Sequence, residues 1–226
     1  MLSVSVITPA YNAASTLTRA YQSLCHQDVT AWQHIIVNDG STDCTRAVAE
    51  SMAAADTRVS VHNSPNRGPA AAHNLALAQA DGPFIAFLDA DDEYLPGHLG
   101  KRLKFFEDHP GTDIIWGGLE VIADRDEDAY VPDAEKGYGL IHVSECMAQG
   151  TLMFRRRVIE QFRFNENRSL WSFDYEFMQR AIQVFTVRRF PDITYRYYRN
   201  TGVSMIDRVK TLSFAQTNPA AQSAHA

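Results

Sequence analysis

The run FIAFLDADD, residues 84–92, decides how this chain is read: five apolar residues in succession stop on Asp89, Asp91 and Asp92. An uninterrupted apolar run of that length fits a strand buried on both faces, as at the centre of a parallel sheet. Open α/β sheets bind ligands beyond the carboxyl ends of their strands, so the three carboxylates are expected at the substrate crevice. Clustered carboxylates raise one another's pKa unless a cation sits between them. Oxygen-only ligands suit hard divalent ions such as Mg²⁺ or Mn²⁺, which commonly carry nucleotide phosphates. A polar turn that is merely acidic explains this one stretch equally well, so the flanking chain has to decide.

Upstream, strands and helices alternate. Residues 2–8 alternate as a first strand and reach the turn Pro9-Ala10-Tyr11-Asn12; a helix capped by Ser15 or Thr16 is expected to run to about His26. HIIVN (34–38) predicts a second strand, followed at once by Asp39-Gly40-Ser41-Thr42-Asp43 and a helix over 44–55. A short strand at 59–62, a loop at 66–69 and an alanine-rich helix over 70–80 lead into the apolar run. Four β-α repeats in about ninety residues are the period of a doubly wound sheet with helices on both faces.

Downstream the rhythm changes. Pro96 and Gly97 open a helix over 98–108, and DIIWGGLEVI (113–122) reads as one strand with Gly117 and Gly118 allowing a bulge. Residues 124–136 are acidic and expected to form a mobile loop, 151–154 a strand, and Arg155-Arg156-Arg157 a solvated turn from which one guanidinium reaches a phosphate as the alternative. Residues 173–183 have helical periodicity, with Phe173, Phe177 and Ala181 on one face, and 195–199 alternate as a strand. The tail from Thr217 has the composition of a disordered segment.

The whole chain narrows the function classes. Its 226 residues are enough for one sizeable core. A formal charge of −6 argues against a general nucleic-acid binder, whose footprint would be basic. Three cysteines without CxxC spacing predict neither disulfides nor structural zinc. The N-terminus lacks the pattern of a secretory signal, and no apolar run has membrane-spanning length, so a soluble protein in a reducing, cytoplasmic compartment is expected.

Five motifs in order, PAYN (9–12), VNDGSTD (37–43), NRGPAAAHN (66–74), FLDADD (87–92) and FDYEFMQR (173–180), resemble those of the inverting glycosyltransferases of family 2. The resemblance implies the GT-A fold, a Rossmann-like three-layer α/β/α arrangement with a mainly parallel central sheet and a smaller acceptor-side region. It implies one domain over 1–216, with 1–95 as the nucleotide-sugar half and 96–216 as the acceptor half. The implied reaction moves a sugar from a nucleoside diphosphate sugar, UDP-sugar favoured, to a hydroxyl of a glycan or lipid-linked acceptor in polysaccharide biosynthesis. Family members building surface polysaccharides often work at the cytoplasmic face of the membrane, so peripheral contact is compatible.

By the same resemblance, Asp91 ligates a Mn²⁺ or Mg²⁺ ion and Asp89 holds the metal or the ribose, while Asp92 is the weakest of the three, a supporting or helix-capping group. Pro9, Ala10 and Tyr11 line the base, Asp39 accepts the uracil N–H, and Arg67 and Arg199 are placed toward the nucleotide sugar. Asp43 resembles a second acid of its loop, with a helix cap as the equal alternative. Asp174 matches the general base that deprotonates the acceptor hydroxyl. Trp171 and Phe173 are candidates for an acceptor surface, with a core role equally expected for Phe173. The chain departs from the pattern at Phe173, where Glu is usual, at His73, where Arg is common, and at Thr201, where many relatives carry a histidine. These departures keep a non-catalytic nucleotide-binding relative as an alternative. A nucleotidyltransferase is disfavoured by the lack of a GxxxxGK[ST] loop.

Overall fold

The computed structural model describes residues 3–136, 138–170 and 172–199. Strand β1 (Val4–Ala10) lies between β2 (Trp32–Asp39) and β4 (Phe84–Phe87), all parallel, with Ile7 opposite both Ile35 and Phe87; β3 (Val59–Ser64) extends the sheet beyond β2. Side chains alternate across these strands, and both faces are buried. Ile7, Ile35, Ile85 and Phe87 share one core with α3 (Pro69–Leu77), α5 (Arg157–Gln161) and α6 (Phe173–Ala181). On the opposite face, Val4, Val6, Ile36 and Ala86 pack against α1 (Leu17–Cys25), α2 (Thr45–Ala55) and α4 (His98–Asp108). The result is the three-layer α/β/α arrangement that the repeat period predicts.

The sheet continues past β4 through β10 (Met153–Arg155), β6 (Ile114–Trp116) and β11 (Val187–Arg189), giving seven strands in the order β11-β6-β10-β4-β1-β2-β3. Only β10 runs against its neighbours. A second sheet joins β5 (Glu93–Tyr94), β12 (Tyr195–Tyr198) and β7 (Leu119–Ile122) across the end of β4, and β8 (Tyr130–Pro132) pairs with β9 (Leu140–His142) as a small hairpin.

Several expectations change here. Residues 113–122 form two strands in different sheets, because Gly117 and Gly118 take φ of 93° and 75° and redirect the chain. A Cβ on Gly118 would fall 2.1 Å from the Asp192 carbonyl oxygen, so the crossing requires glycine. The run Arg155 to Arg157 is not a turn throughout: Arg155 ends β10 and Arg157, which remains exposed, opens α5. Arg155 donates to the Thr112, Phe106 and Pro110 carbonyls, Arg156 to those of Ala80 and Gly82, and Arg157 pairs with Asp113. The acidic segment expected as a mobile loop contains a 3-10 turn, Asp126–Ala129, and strand β8. Strand β11 has no signal in the sequence beyond a valine between polar residues. The tail expected to be disordered, and Thr201, lie outside the described residues.

Behind the crossing sits Arg102, fully buried. Its guanidinium donates to the carbonyls of Thr151 and Gly117, each at 2.6 Å, and to Thr194 Oγ1 at 3.3 Å, and it lies over the Phe190 ring. Burial lowers its pKa to about 10, which leaves it charged at neutral pH. It thereby ties α4 to the turn before β10 and to the start of the second sheet.

Candidate active site

The carboxyl ends of β1, β2 and β4 open on the same side of the sheet. Asp89 follows β4 and is partly buried; burial, then the charges of Asp91 and Asp174, push its pKa up to about 7. Two carboxylates distant in sequence, Asp89 and Asp174, therefore act on one another electrostatically. Asp92 has a different setting. It is fully buried, accepts a hydrogen bond from the Tyr195 hydroxyl at 2.7 Å and another from the Tyr198 backbone at 2.8 Å, and so fastens β12 to the strand end. Burial, followed by Asp91 and Asp89, raises its pKa well above the carboxylate range. The same Tyr195 hydroxyl accepts from the Asp89 N–H at 3.2 Å. The Asp91 carbonyl accepts from Arg19, whose guanidinium lies 3.7 Å from the centre of the Tyr198 ring.

At the ends of β1 and β2 the loops are locked together. Asn12 takes a left-handed φ of 51°, held by its N–H on Ser41 Oγ and by Thr42 N–H on its own Oδ1. Burial works to raise the Asp43 pKa, but hydrogen bonds from the Thr45 hydroxyl, the Thr45 N–H and the Ala14 N–H outweigh it and hold the carboxyl below the usual range. Cys44 rather than Asp43 occupies the N-cap of α2. Pro9 and Ala10 are the last residues of β1 rather than part of a turn, and Tyr11 beyond them is 51% exposed. Asp39 is buried and accepts from Ser64 Oγ at 2.8 Å, from Arg67 N–H at 2.9 Å and from Gly68 N–H at 2.8 Å. Three bonds leave room for about one more on a carboxylate with some four acceptor positions. Gly40, at φ 70°, lies so close that a Cβ would be 2.6 Å from the Asn66 N atom.

Asp174 stands in the first turn of α6, where the helix dipole favours an acid. Burial raises its pKa, while N–H groups of Tyr175 and Gln149 on its carboxylate oppose the rise. Gln149 belongs to a 3-10 turn, Gln149–Thr151, just before β10. Residue 150 in that turn must be glycine, since a Cβ there would be 2.1 Å from the Tyr195 hydroxyl. The turn thus spans the space between the Asp89–Tyr195 end of the site and Asp174.

Residues 5–199 match the family model of Glycosyl transferase family 2. The chain belongs to glycosyl transferase family 2. It is 27% identical over 215 residues to GalNAc(5)-diNAcBac-PP-undecaprenol beta-1,3-glucosyltransferase of Campylobacter jejuni, covering 86% of this chain and 68% of that one. It is 42% identical over 120 residues to the succinoglycan biosynthesis protein ExoU of Rhizobium meliloti, covering 53% of this chain and 34% of that protein. The matches span less than half the length of several curated relatives. Among solved structures, TarS of S. aureus in complex with UDP superposes with a TM-score of 0.71 at 22% identity, over 87% of this chain and 60% of that one. The mannosyltransferase PcManGT of Pyrobaculum calidifontis, in complex with GDP-Man and Mn²⁺, gives 0.67 at 21%, over 85% and 56%. These likenesses show the GT-A fold.

Within this family 2 chain the motif residues Pro9, Ala10, Tyr11, Asp39, Asp89, Asp91 and Asp174 lie at strand ends or at the start of α6. Arg67 bonds Asp39 through its backbone, while its guanidinium pairs with Glu166 at 2.8 Å. Phe173 takes the core role that stood as the equal alternative to an acceptor surface: it is 6% exposed, its ring set against His73 and Phe164. Trp171 lies outside the described residues. Arg199 is buried, with its Nε on the Asp128 carbonyl. His73, at the position where Arg is common, is sealed among Phe87, Phe164 and Phe173, and burial lowers its pKa to about 3, so it brings no charge. Tyr195, which in the sequence is one aromatic of an alternating strand, bonds the Asp89 N–H and the Asp92 carboxyl through its hydroxyl, a role that no local signal marks.

Proposed function

We propose that this chain transfers a sugar from a nucleoside diphosphate sugar, UDP-sugar favoured, to a hydroxyl of a glycan or lipid-linked acceptor during polysaccharide biosynthesis, with inversion at the anomeric carbon. The observation that carries this reading is the placing of Asp39 at the carboxyl end of β2 and of Asp89 just beyond that of β4, on the two strands that flank β1 in parallel. In this reading residues 1–95 hold the donor and 96–216 present the acceptor. The names of the Campylobacter and Rhizobium relatives support the biosynthetic setting, and the first, which names a PP-undecaprenol-linked saccharide, supports a lipid-linked acceptor. Among the described residues no helix is long and apolar enough to cross a membrane.

Asp39 and the exposed Tyr11 ring receive the base, the first through its remaining acceptor position and the second by stacking. Asp174 takes the proton from the acceptor hydroxyl as the new glycosidic bond forms on the face opposite the departing diphosphate. A carboxylate whose pKa is raised by burial is better matched to that task than an exposed one.

The residues fit a divalent metal. Asp89 is driven toward its neutral form by burial and then by the charges of Asp91 and Asp174, a condition that a cation relieves. No group of three His, Cys, Asp or Glu side chains suited to a metal occurs among the described residues. Asp91 and Asp89 would hold a Mn²⁺ or Mg²⁺ ion, since hard ions take oxygen ligands. Such an ion supplies charge neutralisation for the leaving diphosphate.

Calorimetry with a panel of nucleoside diphosphates, with and without Mn²⁺, tests the proposal. UDP is expected to bind selectively and only with metal; Asp91→Ala abolishes that binding, whereas Asp174→Asn retains it and loses turnover. Equal loss of binding in the two variants would refute the assigned roles. Absence of nucleotide binding by the unaltered chain would instead support a fold retained without a donor site.

A further inference from the structure

We propose that Tyr195 and Arg19 are positioning residues for the candidate metal site: from β12 and from α1 they hold the turn over residues 89–92 in the arrangement that binds the ion. This rests on the metal reading above, and neither residue belongs to a motif that carries the family resemblance.

The turn is held at each of its acids. The Asp92 N–H closes it on the Asp89 carbonyl at 3.1 Å. The Tyr195 hydroxyl donates to Asp92 Oδ2 at 2.7 Å and accepts from the Asp89 N–H at 3.2 Å, so one oxygen bridges both ends of the turn. The Tyr198 N–H reaches Asp92 Oδ1 at 2.8 Å. Between these ends, Arg19 donates to the Asp91 carbonyl. The Arg19 guanidinium also lies 3.7 Å from the centre of the Tyr198 ring, so the grip from α1 and the grip from β12 brace one another.

Packing alone does not call for the hydroxyl. Tyr195 is fully buried on the central strand of the second sheet, opposite Tyr94 and Leu119, with its ring edge-on to Tyr94 at 5.9 Å. A phenylalanine would fill that place without burying a polar atom, which is unfavourable unless the atom is bonded. Both bonds of this hydroxyl go to the turn, and Gly150 keeps its space open, since a Cβ there would be 2.1 Å away. The bonds on Asp89 and Asp91 engage an N–H and a carbonyl rather than their carboxylates. Like charges two residues apart favour a turn that splays them, whereas one ion needs both. Holding the main chain at each ligand opposes the splaying and leaves the carboxylate oxygens to the ion. Groups that orient metal ligands in this way typically contribute about 10–100-fold to metal affinity.

The test compares the unaltered chain with Tyr195→Phe, Arg19→Met and Val158→Ala. Calorimetric UDP titrations at a series of Mn²⁺ concentrations give the Mn²⁺ midpoint of UDP binding, and metal-free melts give stability. Tyr195→Phe keeps the ring and should raise the midpoint about tenfold or more. Its melting temperature should fall as well, because Asp92 and the Asp89 N–H lose a partner. Arg19→Met removes a cation beside the site, which by charge alone would lower the midpoint; positioning predicts a rise, of about threefold. Val158→Ala, fully buried in the core on α5, should lower the melting temperature and leave the midpoint unchanged. A midpoint unchanged or lowered in either variant overturns the role of that residue. A rise in Tyr195→Phe that Val158→Ala matches at a comparable loss of melting temperature marks a purely structural role and overturns it too. If Tyr195→Phe does not fold, Arg19→Met, at a half-buried position on α1, decides the proposal by the sign of its shift. UDP binding by the unaltered chain that is indifferent to Mn²⁺ overturns the metal reading, and this assignment with it.

Discussion

Replacing Asp89 by Asn should change the pH dependence of stability in a direction set by the burial of that one carboxyl. In the folded chain Asp89 has its pKa pushed up to about 7 by burial and by Asp91 and Asp174, against 3.8 for an unhindered carboxyl. The raised value means that the folded protein holds this proton more tightly than the unfolded chain does. Its contribution is fully present below the unfolded pKa and disappears as pH rises through about 7. Between pH 5.5 and 8 the loss amounts to about 2 kcal/mol as an upper limit. For a chain of this size that corresponds to about 4–8 °C in melting temperature. Buried histidines push the other way. His34 and His73 have pKa values lowered to about 3 by burial, and His98 is also well below its usual range, so all three favour folding as pH rises toward 6.5. Subtracting the melting curve of Asp89→Asn from that of the unaltered chain removes their common contribution. Metal-free differential scanning calorimetry at half-unit steps of pH should show the unaltered chain losing ground to the variant across this window. With saturating Mn²⁺ the sign should reverse, because the ion binds only the ionised carboxylate and its stabilisation grows with pH. A metal-free difference that is flat to within about 1 °C would refute the burial argument.

Two other substitutions probe the frame. Gly40→Ala forces a left-handed φ on alanine and drives its Cβ into the Asn66 backbone, so it should cost about 1–3 kcal/mol; UDP affinity measured by calorimetry should fall as the loop bonded to Asp39 shifts. Arg102→Leu strands the carbonyls of Thr151 and Gly117 without their donor. Urea denaturation should report a loss of about 2–4 kcal/mol, and an unchanged midpoint would show that α4 does not brace the turn before β10.

The sequence alone determined the first ninety residues of the architecture. Alternation of apolar strands with capped or proline-led helices is a local pattern, and a strand buried on both faces has little choice of partner surface. The same logic identified the strand ends where Asp39, Asp89 and Asp91 stand, since a ligand crevice at the carboxyl ends follows from parallel order. Helix boundaries shifted by a few residues at the ends, where propensity is weakest.

Tertiary structure decided what each of these groups does there. Asp91 and Asp92 are adjacent in the chain, yet Asp92 alone is sealed by Tyr195 and Tyr198, more than a hundred residues later. Phe173 and Asp174 are also adjacent, and the helical turn sends the first into the core and leaves the second beside Gln149. Residues 113–122 look like one strand until the Asp192 carbonyl occupies the space a side chain on Gly118 would need. The run Arg155 to Arg157 looks like one turn until distant carbonyls and Asp113 take up its guanidinium groups. In each case the deciding partner comes from a segment far away in the chain, and periodicity, which compares a residue only with its near neighbours, carries no information about it.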